Sequence, residues 1–298
     1  CQQGKNFANK IWNAYRLIEG WEIKEDLQAP KVSTEAIEWY ENHFEKTLNW
    51  VDENFEKYRI SDALMSIYKL IWEGFCSWLL ELIKPEYQQP IDRKTYTQII
   101  AIFEKNLKIL HPFLPFLTEE LWHFIENRKV VEALTISAWP KSKAFDERLL
   151  SDFELTQQII VGIRNFRKEK NIAHKEKISL YINADQSNFS FESAILKLGN
   201  VSEMYYSNPL EGLVGASFRI NSLDLFIPTN SAENPEEEKE KLTSELNYTR
   251  GFLASVEKKL SNKRFVSNAP GKVIELERKK ASDAKEKILL LEKKLEFL

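Results

Sequence analysis

The sequence predicts a mainly α-helical protein with three parts. These are an antiparallel helical bundle over residues 1–150, a small α+β domain over 151–230 and an antiparallel two-helix coiled coil over 235–298. Three observations support this fold class. Long amphipathic segments with short breaks fill the first part, apolar residues alternate with polar ones only in the second, and a heptad pattern runs through the third.

The bundle is expected to open with an amphipathic helix, followed by three or four more. A buried stripe of the first helix is predicted by apolar residues at helical spacing, namely Phe7, Ile11, Ala14 and Ile18. Short polar side chains predict where the next helices begin, because such side chains cap free N–H groups. The expected caps are Ser33 for the second helix, Ser61 or Asp62 for the third and Asp92 for the fourth.

The helical pattern then breaks at two prolines, Pro112 and Pro115, since proline lacks a backbone N–H and cannot continue a helix. Thr118 is predicted to restart it. Glu119 and Glu120 would lie at the positively polarised end of that helix. Their attraction to that helix end explains why two acids stand side by side, so no catalytic role is needed.

The apolar period changes from helical to alternating in the α+β domain. Strands are predicted around 178–182, 204–206, 218–220 and 223–227, with a helix near 191–198. A linker at 228–235 begins and ends with proline and separates this domain from the third part.

The third part is predicted to be a helical hairpin. Pro270 disfavours helical backbone at Ala269, so residues 260–270 should form a turn. Heptad positions flank this turn: Leu242, Leu246, Thr249, Leu253, Val256 and Leu260 precede it, and Ala281, Ala284, Ile288, Leu291, Leu295 and Leu298 follow it. The tip of the hairpin carries a group of cations: Lys258, Lys259, Lys263, Arg264 and Lys272.

Composition limits the possible functions. The formal net charge is −3 over 298 residues, so any polyanion must be bound by local patches, although 235–298 carries fifteen Lys and Arg against twelve Asp and Glu. The two cysteines, Cys1 and Cys76, allow neither a disulfide framework nor a Cys-based zinc site. No apolar run is long enough to predict a membrane span, and a cytoplasmic location is expected.

No catalytic motif is recognised in the sequence. The nine glycines form neither of the phosphate-binding patterns GxGxxG and GxxxxGK[ST], and the four histidines lack metal-ligand spacing. Catalytic residues and metal ligands are therefore predicted to be absent. Recognition is the function that the residues favour.

The first helix indicates recognition of unpaired RNA. Its polar stripe consists of Lys5, Asn6, Asn9, Lys10, Asn13 and Arg16. Asparagine donates and accepts hydrogen bonds at base edges, whereas Lys and Arg bind phosphate. Nearby aromatic residues of the kind that stacks on bases are Trp12, Tyr15 and Trp21. A solvated helix face with core aromatics explains the same pattern and stays open.

Two further basic groups are candidate RNA contacts. Arg164, Arg167 and Lys168 end the helix before the α+β domain, although the helix dipole also favours cations there. The hairpin tip is the stronger candidate, because several cations on a narrow projection concentrate positive potential.

Six segments along the chain match the motifs of one family. They are 4–16 (Gly-Lys-Asn-Phe-Ala-Asn-Lys-Ile-Trp-Asn-Ala-Tyr-Arg), 71–84, 110–122 (Leu-His-Pro-Phe-Leu-Pro-Phe-Leu-Thr-Glu-Glu-Leu-Trp), 137–140, 163–167 and 259–270 (Lys-Leu-Ser-Asn-Lys-Arg-Phe-Val-Ser-Asn-Ala-Pro). Their order resembles the region after the catalytic core of the valyl-tRNA synthetase family, which belongs to the class I aminoacyl-tRNA synthetases. The resemblance is weakest at about 185–230. Lys5 stands where relatives often have Arg, which removes a bidentate fork but keeps the charge.

The resemblance implies a function that the spacing of residues does not show. The bundle would be an anticodon-binding domain, and the hairpin would hold the outer corner of tRNA(Val). Catalysis with ATP and Mg, and editing of mischarged threonine, would belong to domains preceding this chain in a longer protein. The chain itself is expected to hold no cofactor, to charge no tRNA, to contact no membrane and to be a monomer.

Two alternatives remain at this stage. The chain could be part of an isoleucyl- or leucyl-tRNA synthetase, against which the hairpin motif argues. It could also be a coiled-coil module that binds a protein partner rather than RNA.

Overall fold

The structure, a computed structural model, describes residues 2–184, 189–210, 213–229, 235–261, 274–282, 284, 285 and 288. The chain forms two compact units, one comprising Cys1–Leu210 and Ser217–Ile227 and the other Glu211–Ala216 and Pro228–Leu298. The described part is mainly helical with small sheets, as the sequence predicts. Among the helices it describes, none is both long and apolar enough to cross a membrane.

The first unit is built largely from helices. Most connections are short, but 126–146 is longer and contains two 3-10 helices, Val130–Glu132 and Leu134–Ile136. The bounds of the other helices are α1 Gln2–Glu19, α2 Lys31–Glu56, α3 Ile60–Lys69, a π-helix Leu70–Leu79, α4 Leu80–Ile83, α5 Arg93–Leu110, α6 Pro115–Ile125, α7 Glu147–Glu169 and α8 Glu192–Gly199. Their apolar faces share one core. Its largest fully buried side chains include Tyr40, Phe75, Phe103 and Phe153.

The predicted start of the fourth helix is confirmed. Asp92 precedes α5, and its side chain accepts a hydrogen bond of 2.8 Å from the Thr95 backbone N–H. Thr118 lies inside α6 instead of starting it, because Pro115 occupies the first turn, where a missing N–H costs no hydrogen bond. The Thr118 hydroxyl instead donates to the Leu114 carbonyl at 2.9 Å and lies 2.7 Å from His111 Nδ1.

The predicted caps of the second and third helices are wrong. Pro30, whose φ is fixed near the helical value, is the residue before α2, and Ser33 is buried inside the helix with its backbone N–H donated to the Pro30 carbonyl. Arg59 precedes α3, so Ser61 and Asp62 lie inside its first turn. Asp62 still favours that turn electrostatically, without acting as the cap.

Residues 60–83 form one helical run interrupted by the π-helix, which the sequence pattern did not predict. The Ser77 hydroxyl donates to the carbonyl of Trp72, five residues earlier, at 2.9 Å. Gly74 lies against α2, where an added Cβ would be 3.2 Å from His43 and 3.3 Å from Tyr40. The wider turn thus coincides with a close approach of two helices.

A two-residue parallel sheet holds the segment after α1. Strand β1 (Ile23–Lys24) pairs with β2 (Ile91–Asp92), and the Ile91 N–H donates to the Glu22 carbonyl at 2.8 Å. Strands this short carry no alternating pattern, so the sequence did not predict them.

The predicted change to a small α+β arrangement is present. Its strands are β3 Ile178–Ile182, β4 Val201–Tyr205, β5 Gly215–Ile220 and β6 Leu223–Pro228, in the spatial order β4-β3-β6-β5. β3 pairs parallel with β4 across α8 and antiparallel with β6. α8 contributes Phe191, just before its start, and Ala194 to the bundle core.

The second unit contains a long helix, α9 (Pro235–Ser261), and a helical segment at 274–282. Lys259 of α9 forms an ion pair of 3.8 Å with Glu277 of the helical segment. Glu257 of α9 forms a second ion pair, of 2.9 Å, with Lys285, which follows that segment in sequence. Several predicted heptad positions are buried, namely Leu246, Thr249, Val256, Ala281 and Ala284. Most of the predicted turn, 262–270, lies outside the described residues.

Candidate nucleic-acid interface

The polar stripe of the first helix lies on the surface, as its pattern predicts. Phe7, Ile11 and Ile18 are buried on the opposite face of α1 and fix the rotation of the helix. The residues left exposed are Lys5, Asn6, Asn9, Asn13 and Arg16. The helix therefore presents three amides between cations at both ends of the stripe.

Lys10 is the exception, because it is partly covered. Its Nζ lies 5.5 Å from the centroid of the Trp72 ring in the π-helix, within the range of a cation–π contact. The Trp72 ring in turn stacks on Tyr68 with centroids 5.6 Å apart, and Tyr68 contacts Phe7 at 4.7 Å. Lys10 is thus oriented by aromatic packing at the edge of the stripe.

Tyr15 cannot stack on a base as proposed from the sequence. Its ring is buried between Phe103 and Phe124, with centroids 6.3 and 6.1 Å away. Its hydroxyl donates to the Phe124 carbonyl at 3.1 Å, and burial raises the pKa of this phenol. Helical spacing puts Tyr15 beside Ile11 and Ile18 on the core face. For this residue, the alternative of a core aromatic behind a solvated helix face is therefore correct.

The other two aromatic residues are partly exposed. Trp21 packs against the core just after α1. Trp12 meets the edge of Phe124 in α6 with centroids 5.7 Å apart. In the helix, Trp12 lies three residues after Asn9 and four before Arg16, so it borders the polar stripe.

Phe124 is a candidate that sequence reasoning missed. Its side chain is 50% exposed beside Trp12, although it stands in the stretch 121–125, which is apolar except for His123. A run of apolar residues does not tell which of them faces outward, because that depends on the neighbouring helix. Here α1 covers one side of the ring and leaves the other open.

The charge along the α1 region is uneven. Cations occur along α1 up to Arg16, whereas exposed acids follow at and beyond its end: Glu19, Glu22, Glu25 and Asp26. Arg93 pairs with Glu25 through a hydrogen bond of 2.9 Å, which lowers the pKa of that carboxyl. Exposed cations therefore lie along α1, whereas the loop after it carries more acids than bases, with Lys24 as its exposed cation.

The second basic cluster divides into exposed and buried members. Arg164 and Lys168 are exposed on α7, and the Arg164 guanidinium lies 5.8 Å from the Trp78 ring centroid. Arg167 is buried and donates only to backbone carbonyls. No hydrogen bond or ring contact joins this cluster to the α1 stripe in the part of the chain that the structure describes.

The hairpin tip is only partly within the described residues. Lys258 and Lys259 are exposed in the last turn of α9, and Lys259 is the partner of Glu277 noted above. Lys263, Arg264 and Lys272 lie outside the described residues. Across the ranges that are described, no three His, Cys, Asp or Glu side chains come together in a way that could hold a metal ion.

Comparison with known proteins finds two family models. Residues 38–182 match the anticodon-binding domain of tRNA ligase, and residues 235–298 match the valyl tRNA synthetase tRNA binding arm. The second match disfavours the isoleucyl and leucyl alternatives, because the arm model that it matches is that of valyl tRNA synthetase.

Similarity to individual proteins extends over the whole chain. The valine–tRNA ligase of Christiangramia forsetii is 50% identical over 300 residues, which cover 100% of this chain and 34% of that protein. The valine–tRNA ligase of Parabacteroides distasonis is 44% identical over 299 residues with the same coverage. That of Thermotoga maritima is 29% identical over 291 residues, covering 97% of this chain and 33% of that protein.

The chain spans about a third of the length of these curated relatives. The anticodon-binding domain and the arm occur in it in the order that the six matched segments predict. Because the similarity extends over its own whole length, the chain belongs to the valine–tRNA ligase family and corresponds to its C-terminal region.

Proposed function

We propose that this chain binds tRNA(Val) for a valine–tRNA ligase, with the helical bundle recognising the anticodon and the hairpin arm holding the outer corner of the tRNA. The parent protein would charge the tRNA with valine. ATP, Mg and the catalytic and editing residues would belong to other parts of that protein. The chain itself would act in the cytoplasm as a monomer and form no covalent bond with its RNA.

One observation carries this proposal: an anticodon-binding domain and a tRNA-binding arm match the same chain in succession. The exposed stripe on α1 supports it, since three asparagines offer both donors and acceptors to unpaired base edges. Lys5 and Arg16 at the two ends of the stripe would bind phosphate and set its register on the loop. Trp12 and Phe124 would stack on a base beside it.

The arm is proposed to be an antiparallel coiled coil. The buried heptad residues and the two cross-pairs Lys259–Glu277 and Glu257–Lys285 support this geometry. At about 1.5 Å per residue, the 27 residues of α9 extend roughly 40 Å, long enough to reach a part of the tRNA distant from the anticodon. The cations at the tip would bind phosphates there.

The test compares two RNAs, intact tRNA(Val) and its isolated anticodon stem-loop, over a range of salt concentrations. Affinity should fall steeply with rising salt, because bound cations leave the phosphates. Replacing Lys5, Asn9 and Arg16 by Ala should weaken binding of both RNAs. Replacing Lys258, Lys259, Lys263 and Arg264 by Ala should weaken binding of intact tRNA much more than of the stem-loop.

A variant that loses two exposed cations elsewhere, as many as the stripe variant loses, controls for a general loss of positive potential. Lys94 and Lys141 are also exposed, and changing both to Ala should leave either affinity within about twofold. If affinity for tRNA is absent or independent of salt, the proposal is wrong and a protein partner for the arm becomes the better interpretation. Equal losses for the two RNAs in the arm variant would refute the separate roles.

A further inference from the structure

The loop that follows α7 is held to the protein by its backbone carbonyls. Arg167, only 5% exposed, donates from Nη1 to the Ala173 carbonyl in this loop at 3.1 Å. Its Nη2 donates to the carbonyls of Gly199 and Asn200, at 3.2 and 3.0 Å. One buried guanidinium therefore joins the loop to the C-terminal end of α8, where carbonyls lack helical partners.

Asn200 holds the same loop from the other side. Its side-chain N–H groups donate to the His174 carbonyl at 2.8 Å and to the Glu176 carbonyl at 3.1 Å. The residue has φ 51°, a left-handed conformation that asparagine adopts more readily than most residues. The Ile172 N–H closes the turn by donating to the Arg167 carbonyl at 2.8 Å. Three carbonyls of the loop, those of Ala173, His174 and Glu176, are thus bound by side chains from outside the loop.

The end of α7 and this fixed loop together carry an excess of positive charge. The segment 164–177 contains six Lys and Arg and two Glu. Arg164, Lys168, Lys175 and Lys177 are exposed, and within the described residues no carboxylate forms an ion pair with any of the last three. Because the loop carbonyls point inward to Arg167 and Asn200, the cations are left to face solvent.

We propose that Lys168, Lys175 and Lys177 form a preorganised surface that binds phosphates of the tRNA backbone, and that Arg167 and Asn200 are positioning residues for it. The inference rests on the proposed function. Of the second basic cluster it keeps Lys168 as an RNA contact and gives Arg167 a positioning role, and it adds Lys175 and Lys177. Fixing the loop in advance lowers the entropy lost on binding. Arg167 itself does not touch the RNA, because it is buried and its hydrogen bonds go to carbonyls inside the protein.

An RNA backbone fits this surface better than a lipid membrane. The loop offers cations but no large apolar side chain that is fully exposed, since Ile172 is half-buried. Insertion into a membrane needs such an apolar group beside the charges, whereas phosphodiester binding does not. Point charges on lysine also suit phosphates without base specificity.

The first test changes the charges and leaves the loop in place. Lys175→Ala with Lys177→Ala, in the full chain, should reduce the steepness of log affinity against log salt by about one to two for intact tRNA, since each lost phosphate contact contributes roughly 0.7 to 0.9. The Lys94→Ala, Lys141→Ala variant is the matched control and should keep the wild-type slope. Equal slopes for both variants would overturn the proposal.

The second test changes the position of the loop and leaves every cation in place. Asn200→Gly keeps a residue suited to the left-handed conformation but removes both side-chain donors. Amide hydrogen exchange should speed up across 170–177, and tRNA affinity should fall severalfold at constant net charge. Arg167→Lys should act in the same direction, because an ammonium cannot reach three carbonyls in the fixed geometry of a guanidinium.

Faster exchange in Asn200→Gly without any loss of tRNA affinity would show that the loop contacts are structural only, and it would reject the positioning role. Failure of this inference can be distinguished from failure of the proposed function. If the wild-type chain binds tRNA and the α1 stripe variant is impaired while the Lys175 and Lys177 variant is not, this inference fails and the proposed function stands. If the wild-type chain binds no tRNA, both fail.

Discussion

The Tyr40 hydroxyl donates a hydrogen bond of 2.9 Å to the side-chain oxygen of Asn106 in the middle of the bundle. Both residues are almost completely buried, and burial raises the pKa of Tyr40 well above its ordinary value. The bond joins α2 to α5 across 66 positions of sequence. Within the described residues the Asn106 side-chain nitrogen has no partner, so the amide depends on Tyr40 for its hydrogen bonding.

Tyr40→Phe should therefore destabilise the first unit. The change leaves the Asn106 oxygen buried without a donor and should lower the free energy of unfolding by about 1–3 kcal/mol. Urea unfolding followed by tryptophan fluorescence measures this loss. Adding Asn106→Leu to Tyr40→Phe should recover part of it, because two apolar partners leave no polar group unpaired. A double variant less stable than the single one would contradict this account.

Helical periodicity predicted most of the bundle because each long helix buries one continuous stripe. It failed where local geometry departs from that period. The π-helix Leu70–Leu79 has the same apolar composition as an ordinary buried helix, so nothing in the pattern distinguishes the wider turn. The prediction of Ser33 as a cap was wrong for a different reason. Pro30 is the residue before α2, so the helix has already begun when the chain reaches Ser33.

The candidate site was predictable only in part. The polar stripe of α1 follows from the burial of Phe7, Ile11 and Ile18, which are visible in the sequence. The burial of Arg167 was not predictable, because two of the three carbonyls that accept its hydrogen bonds lie 32 and 33 positions away. Phe124 was not predicted for the same reason, because its exposure depends on how α1 packs against α6.

Gly74→Ala should destabilise the bundle, although alanine favours helices more than glycine by roughly 1 kcal/mol. The new Cβ would be 3.2 Å from His43 and 3.3 Å from Tyr40. Tyr40 cannot yield easily, as it is fully buried and bonded to Asn106. The overpacking cost of about 1–3 kcal/mol should outweigh the gain in propensity.

Gly251→Ala is the matched control for Gly74→Ala. Gly251 also lies inside a helix, α9, but an added Cβ there has nothing within 4 Å. It should stabilise its unit by roughly 0.5–1 kcal/mol, because only the propensity changes. Thermal unfolding of both variants by circular dichroism gives the comparison, and a stabilised Gly74→Ala chain would show that α2 and the π-helix can separate at little cost.

Acid should destabilise the first unit through His43. Burial, and then the nearby Lys46, lower the pKa of His43 from 6.5 to about 4. As the pH falls from 6.5 to about 4, the unfolded chain takes up a proton at this site and the folded chain does not, so stability decreases across that window and levels off below it. The loss is on the order of 3 kcal/mol at most.

Chemical denaturation at several pH values measures this contribution. His43→Gln should flatten the dependence over the same window, since glutamine does not titrate. His174→Gln serves as the control, because His174 is exposed in the loop after α7. A wild-type profile retained by His43→Gln would assign the acid sensitivity to other groups.

Stacking on the anticodon side can be tested with two phenylalanines of one helix. Phe116 and Phe124 both belong to α6 and are 91% and 50% exposed, but only Phe124 contacts Trp12 beside the polar stripe. Phe124→Leu should weaken binding of the anticodon stem-loop by about 5- to 150-fold, because stacking on one base contributes roughly 1–3 kcal/mol. Phe116→Leu removes an aromatic ring of the same kind and should leave affinity unchanged. Fluorescence anisotropy with a labelled stem-loop measures both, and equal losses would contradict a stacking role particular to Phe124.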